Sequence, residues 1–92
     1  MSQQDYLERA RWFQCLSHPL RLRILEELCD GEKCVCELQQ VLHKPQPYIS
    51  QQLRMLRMAG LVACRKRGQF AFYTLADPRV EETLKMLRSQ QP

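Results

Sequence analysis

The sequence lacks any long apolar run. No stretch approaches the roughly 18 to 20 uncharged apolar residues that cross a bilayer as a helix. Residues 1–8 also lack the basic start and the apolar segment of a secretory signal. We therefore expect a cytoplasmic protein with no membrane partner.

Histidine is scarce, with two residues in 92, and the two do not form a spaced cluster. No Cys-x-x-Cys motif follows an expected strand, and no motif positions a histidine as a general base. A small thiol enzyme with a low-pKa cysteine is therefore a remote alternative. We expect that the protein is not an enzyme.

Acidic residues are absent between Leu38 and Ala76. This window carries six bases and no acid, a formal charge of +6, while the other residues carry eight bases and ten acids, a charge of −2. Such a concentration of positive charge favours a polyanionic partner, and double-stranded DNA fits best. The alternative is a solvated basic surface without a ligand. The six bases are Lys44, Arg54, Arg57, Arg65, Lys66 and Arg67.

Helical periodicity dominates the 92 residues, which we interpret as one domain, 1–92. Apolar spacing and Pro or Gly boundaries predict helices at about 5–16, 19–30, 34–42, 45–60 and 78–89. From 61 to 75 the period changes to two, with a turn at Arg67-Gly68, which predicts a hairpin. The expected fold is mainly α with a β-hairpin wing: a winged helix-turn-helix, with the helix-turn-helix at about 34–59 and the wing at about 61–75.

The fourth helix has the pattern of a DNA-recognition helix. Burial of Ile49, Leu53 and Leu56 turns the polar side chains of this helix to its outer face. Glutamine and serine suit base edges, whereas arginine suits guanine or phosphate. We expect base contacts from Gln46, Tyr48, Ser50 and Gln51, and backbone contacts from Arg54. Arg57 is equally well explained as a phosphate contact or as a solvated residue. Wing contacts to phosphate or the minor groove are expected from Arg65, Lys66, Arg67 and Gln69.

The first and last helices are expected to form a two-fold dimer. A chain of 92 residues buries a limited core, so exposed apolar stripes on these helices favour a second copy. The expected dimerisation helices are about 5–16 and 78–89. The residues of the stripes are Tyr6, Phe13, Val80, Leu84 and Leu87.

Five cysteines, an odd number without an export signal, argue against a disulfide framework and favour metal or redox chemistry. Cys34 and Cys36 would point about 200° apart on a regular helix, so sharing an ion requires unwinding, which is easier at a first turn. Thiolates there select soft ions. Two sulfur ligands are too few to complete the coordination of such an ion. The third ligand is left open between Cys29, Cys15, Cys64, a residue of a partner chain, or none.

Several motifs together resemble the ArsR/SmtB family of metal-responsive repressors, over about residues 7–75. They are FQCLSHPLRLRIL at 13–25, GEKCVCEL at 31–38, SQQL at 50–53 and AGLV at 59–62. The resemblance implies a homodimer that binds operator DNA and is released when an inducer binds Cys34 and Cys36. Arsenite or antimonite is the favoured inducer, with cadmium, lead or zinc as alternatives. The sequence departs from the arsenite-sensing pattern at Gln39, where a third cysteine is expected. An alternative is a redox- or reactive-sulfur-responsive repressor in which Cys34 or Cys36 pairs with a distant cysteine.

Overall fold

The computed structural model describes residues 1–89. Within this range the fold is mainly helical with a β-hairpin, as the sequence predicts. The elements are α1 (Gln3–Leu16), α2 (Pro19–Cys29), β1 (Lys33–Cys34), α3 (Val35–Leu42), α4 (Gln46–Met58), β2 (Val62–Arg67), β3 (Phe70–Leu75) and α5 (Pro78–Ser89). The short strand β1 was not predicted. Among these helices, none has the length and apolar character needed to cross a membrane.

Local chemistry explains where the helices begin and end. The Nδ1 atom of His18 accepts a hydrogen bond from the Leu20 amide at 3.2 Å, and Pro19 occupies the first turn of α2. At the end of α3, His43 adopts the left-handed conformation with φ 53°. Pro45 then precedes α4. The turn between α3 and α4 is therefore short and defined by the backbone.

One hydrophobic core joins all five helices and the sheet. The inner stripe of α4, formed by Ile49, Leu53 and Leu56, is completely buried and fixes the orientation of this helix. The core also contains Val80 and Leu84 of α5, with exposures of 0% and 2%. Their prediction as dimer contacts was therefore wrong, because the chain itself covers them.

The three strands form an antiparallel sheet in the order β1-β3-β2. The hairpin turn lies at Gly68, whose φ of 61° favours glycine. On the other edge of β3, β1 pairs Cys34 with Phe72 and Lys33 with Tyr73. The segment that leads into α3 is thus hydrogen-bonded to the wing.

A part-buried polar contact ties α1 to the start of α5. The Trp12 indole donates to Asp77 at 2.9 Å, and the Arg79 guanidinium contacts the same carboxylate at 2.7 Å. The Arg79 guanidinium beside Asp77 holds the pKa of that carboxyl well below its usual range, with the Trp12 hydrogen bond adding to the effect and burial opposing it. The ionised Asp77 therefore stabilises the packing of the two outer helices.

Candidate DNA-binding surface and cysteine pair

The outer face of α4 carries the expected polar side chains. Gln46, Tyr48, Gln51 and Arg54 are exposed, and Ser50 is half-buried. The Gln46 amide donates to Ser50 Oγ at 3.3 Å, one turn along the helix. Arg57 is exposed as well, near the end of the helix. Within residues 1–89 neither Arg54 nor Arg57 forms an ion pair, so both cations can meet phosphate.

A groove of about 690 Å³ lies beside the N-terminus of α4. Lys44, Pro45 and Tyr48 line it from the α4 side, and His18 and Arg23 line it from α2. Arg23 lies outside the acid-free window and was not predicted. The sequence gave only a weak signal that Arg23 faces outward. The apolar residues from Ile24 to Leu28 mark the buried face of α2, but the alternation of Arg21 and Arg23 does not by itself show which arginine is exposed.

The wing presents Arg65, Lys66, Arg67 and Gln69, all exposed. Arg65 is ion-paired to Glu32 at 3.1 Å, and Arg67 is ion-paired to the other oxygen of the same carboxylate. The Arg67 guanidinium also lies over the Phe72 ring, 4.1 Å from its centroid. The sequence did not indicate these ion pairs, because Glu32 is more than 30 residues away in the chain.

Cys34 and Cys36 are joined by a disulfide, with their Cα atoms 5.4 Å apart. The sequence argued against a disulfide framework; the structure has this one local pair, and the other three cysteines are unpaired. The sequence placed the start of the third helix at about Cys34, whereas the helix begins at Val35. Cys34 precedes α3 as its N-cap, with extended backbone angles, so the two sulfurs converge without unwinding the helix.

The buried Cys34 forms a capping box with Glu37. Its Sγ accepts a hydrogen bond from the Glu37 amide at 3.4 Å, and the Cys34 amide donates to Glu37 Oε1 at 3.0 Å. Cys36 is exposed. One sulfur is therefore part of the helix start, while the other is accessible to solvent.

The other cysteines do not complete a metal site within one chain. Cys15, Cys29 and Cys64 are unpaired and half-buried, and residues 1–89 hold no group of three potential ligands. Burial, then the nearby Glu26, raise the pKa of the Cys29 thiol, which disfavours the thiolate that a metal needs. Cys64 lies opposite Tyr73 in the sheet. The chain alone therefore does not fit a three-thiolate ion.

Five large apolar side chains are exposed on α1 and α5, and three more, Tyr48, Met55 and Met58, are exposed on α4. Phe13 is 62% exposed and Met86 67% exposed, although both are large apolar residues. Tyr6, Leu7 and Leu87 are exposed on the same two helices. Exposed apolar side chains on two outer helices are typical of an interface between subunits.

Comparisons with known proteins agree with this geometry. The profile described as "Bacterial regulatory protein, arsR family" matches residues 18–63. An uncharacterized HTH-type transcriptional regulator of Methanocaldococcus jannaschii is 41% identical over 85 residues, which cover 91% of this chain and 96% of the relative. The biofilm growth-associated repressor of Xylella fastidiosa is 35% identical over 91 residues, covering 95% and 80% of the two chains.

Solved structures give the same result. Reduced HlyU from Vibrio cholerae matches with a TM-score of 0.88 at 33% identity, over 95% of this chain and 92% of the other. A homodimeric winged helix-turn-helix DNA-binding domain from Mycobacterium bovis matches with a TM-score of 0.83 at 25% identity, over 97% and 85%. The matching profile, the two relatives and the Mycobacterium bovis domain are named for regulation or DNA binding. The chain belongs to the ArsR family of winged helix-turn-helix transcriptional repressors and is not an enzyme.

Proposed function

We propose that this protein represses transcription as a homodimer on operator DNA, and that the oxidation state of the Cys34–Cys36 pair sets its affinity for the operator. One observation carries the proposal: Cys34 is both half of a disulfide and the N-cap of α3. Since α3 packs against α4, a change at this cap acts directly on the support of the recognition helix.

DNA binding is assigned to α4 and the wing. Gln46, Tyr48, Ser50 and Gln51 lie at the N-terminal end of α4, where a recognition helix meets base edges. Arg54 and the wing side chains Arg65, Lys66, Arg67 and Gln69 extend this surface with groups suited to the DNA backbone.

The dimer is assigned to the apolar surface of α1 and α5. Tyr6, Phe13 and Leu87 are more than half exposed in one chain, and a two-fold partner would cover them. The Mycobacterium bovis domain of the same fold is named as homodimeric. Two copies would present their α4 helices to half-sites roughly 34 to 36 Å apart.

The redox step is chemically simple. A peroxide oxidises the exposed Cys36 thiolate to a sulfenic acid, releasing hydroxide, and the Cys34 thiol then displaces water to form the disulfide. Two thiols and one hydrogen peroxide thus give one disulfide and two waters. If the disulfide form fits DNA less well, linkage requires that DNA disfavour oxidation by the same factor. In this step Cys34 and Cys36 pair with each other, whereas the redox alternative drawn from the sequence paired one of them with a distant cysteine.

A thiophilic ion is the second candidate inducer, because the Cα atoms of Cys34 and Cys36 lie 5.4 Å apart, close enough for both sulfurs to reach one ion. Cys34 and Cys36 would be two of its ligands, and such an ion would draw the pair together as the disulfide does. A third thiolate would have to come from the partner chain, since the described chain holds no group of three ligands. Arsenite or antimonite, cadmium, lead and zinc stay as the predicted ions.

The test compares the affinity of three protein states for one operator fragment, selected from random duplexes by the reduced protein. The states are reduced protein, protein oxidised by one equivalent of hydrogen peroxide, and reduced protein with arsenite, cadmium, lead or zinc. Oxidation is expected to lower affinity by roughly 5- to 150-fold, as for a typical allosteric coupling.

Cys34→Ser/Cys36→Ser should bind the operator and lose this response, whereas Cys64→Ser is the matched control that keeps it. Release by an ion but not by peroxide would replace the redox proposal with the ion. Release of the double variant by both agents would place the sensor elsewhere, with Cys15 and Cys29 next to be tested.

A further inference from the structure

Glu32 occupies a position that the proposed repressor function does not explain. It lies between α2 and β1, and its carboxylate contacts Arg65 and Arg67 on the wing. The Glu32 side chain is 25% exposed, against 68% and 53% for the two arginines. A carboxylate that holds two guanidinium groups resembles, in charge and geometry, a DNA phosphate between the same groups.

Exposed ion pairs of this kind add little to folding stability. Their effect on DNA binding is larger. Each arginine must leave Glu32 before it can contact a phosphate, and the DNA releases no condensed counterion until that contact forms. Glu32 therefore competes with the DNA backbone for both cations.

Glu32 is also connected to the cysteine pair. It precedes Cys34 by two residues, and Cys34 pairs across the sheet with Phe72. Phe72 in turn lies beneath the Arg67 guanidinium. The disulfide, the edge strand β1, the wing strand β3 and the Glu32 carboxylate thus form one continuous set of contacts.

We propose that Glu32 withholds Arg65 and Arg67 from DNA while the Cys34–Cys36 disulfide holds β1 in place. The inference rests on the proposed redox function and deepens it, since it makes Glu32 the residue that positions the wing arginines in the oxidised state. Reduction frees the start of α3 and β1, and phosphate then displaces the carboxylate.

The test measures binding of the oxidised protein to a random-sequence duplex across a salt series. Glu32→Gln should bind about 2- to 5-fold more tightly than wild type. The slope of log affinity against log salt should steepen by about 0.9 for each arginine that gains a phosphate contact. Asp30→Asn is the matched control: it removes the same charge two residues away from a side chain that forms no ion pair within residues 1–89.

A second cycle separates competition from general electrostatics. In an Arg65→Ala/Arg67→Ala background, Glu32→Gln should no longer change affinity or salt slope. A gain that persists there, or an equal gain from Asp30→Asn, would overturn the proposal.

The link to the cysteines has its own readout. The Glu32→Gln substitution should raise DNA affinity less in the reduced protein than in the oxidised protein. The ratio of reduced to oxidised affinity should therefore be smaller in the variant than in wild type. Equal gains in both states would refute the link. If wild-type affinity is the same in both states, the redox function fails, while the cycle with Arg65 and Arg67 still decides whether Glu32 competes with phosphate.

Discussion

The α1–α5 side of the molecule and the α4–wing side both expose apolar side chains that a lone chain leaves uncovered, but only the second is built from a segment that has bases and no acids. On the first side, Phe13 and Met86 are apolar, and the nearby Arg79 is neutralised by Asp77. On the second, Arg54 lies on an acid-free segment, and Glu32 reaches the wing from elsewhere in the chain. An apolar surface suits a second copy, and a basic one suits DNA, so one small domain can keep the two interfaces separate.

The largest expected effect is on the proposed dimer and tests the apolar side of the molecule. Phe13→Asp places a charge in the proposed dimer interface, where a central aromatic typically contributes at least about 2 kcal/mol of binding free energy. We expect the dimer dissociation constant, measured by sedimentation equilibrium, to rise by roughly 30-fold or more. Tyr48→Asp is the control, since Tyr48, at 59%, is almost as exposed as Phe13 but lies on the proposed DNA-binding side. A Phe13→Asp protein that stays dimeric at the wild-type concentration would refute the assignment of the interface.

The next effect concerns operator choice on the basic side. Gln51→Ala should lose about 1 to 3 kcal/mol of preference for the operator over random DNA, the usual range for a bidentate base contact. Gln69→Ala is its counterpart on the wing and should leave that preference unchanged, because wing contacts position the protein. Competition binding between operator and random-sequence duplexes measures the preference of both variants. A larger loss of preference in Gln69→Ala than in Gln51→Ala would place base recognition in the wing.

Most of the fold was predictable because its signals are local. The apolar stripe of α4 and the proline at the start of α5 indicated the helices, and Gly68 indicated the hairpin. β1 was missed because two residues show no periodicity, and they become a strand through pairing with β3. Val80 was assigned to a dimer surface because a periodic apolar face does not reveal what covers it.

The site was predictable in its residue types and less so in its contacts. The placement of Cys34 within the helix ignored a signal that was present: Cys34 and Glu37 have the spacing of a capping box, with cysteine in place of serine. That spacing places the first cysteine outside the helix and allows the disulfide. The contacts of Glu32 with the wing had no such signal, since they depend on how β1 docks on β3.

A smaller effect, on the α1–α5 side, is dependent on pH. The folded-state pKa of Asp77 is lowered, chiefly by Arg79, so its contribution to stability is fully present above its unfolded pKa of about 3.9. That contribution is lost as pH falls below this value toward the folded-state pKa. Asp77→Asn should therefore reduce the free energy of unfolding by about 1 to 2 kcal/mol at pH 7, with wild type and variant converging below about pH 4. Urea unfolding at several pH values measures this, and a difference independent of pH would contradict it.

The smallest effect sharpens the contrast between two groups of arginines on the proposed DNA-binding side. Arg54 forms no ion pair within the described residues, whereas Arg65 and Arg67 are held by Glu32. In reduced protein, Arg54→Ala and Arg67→Ala should each flatten the salt dependence of binding by roughly 0.9, as for the loss of one phosphate contact. In oxidised protein, Arg54→Ala should still flatten the salt dependence of the remaining DNA binding, though by less. Arg67→Ala should have almost no effect there, because Arg67 is already held away from phosphate by Glu32. An equal effect of Arg67→Ala in both states would show that the wing reaches DNA regardless of Glu32.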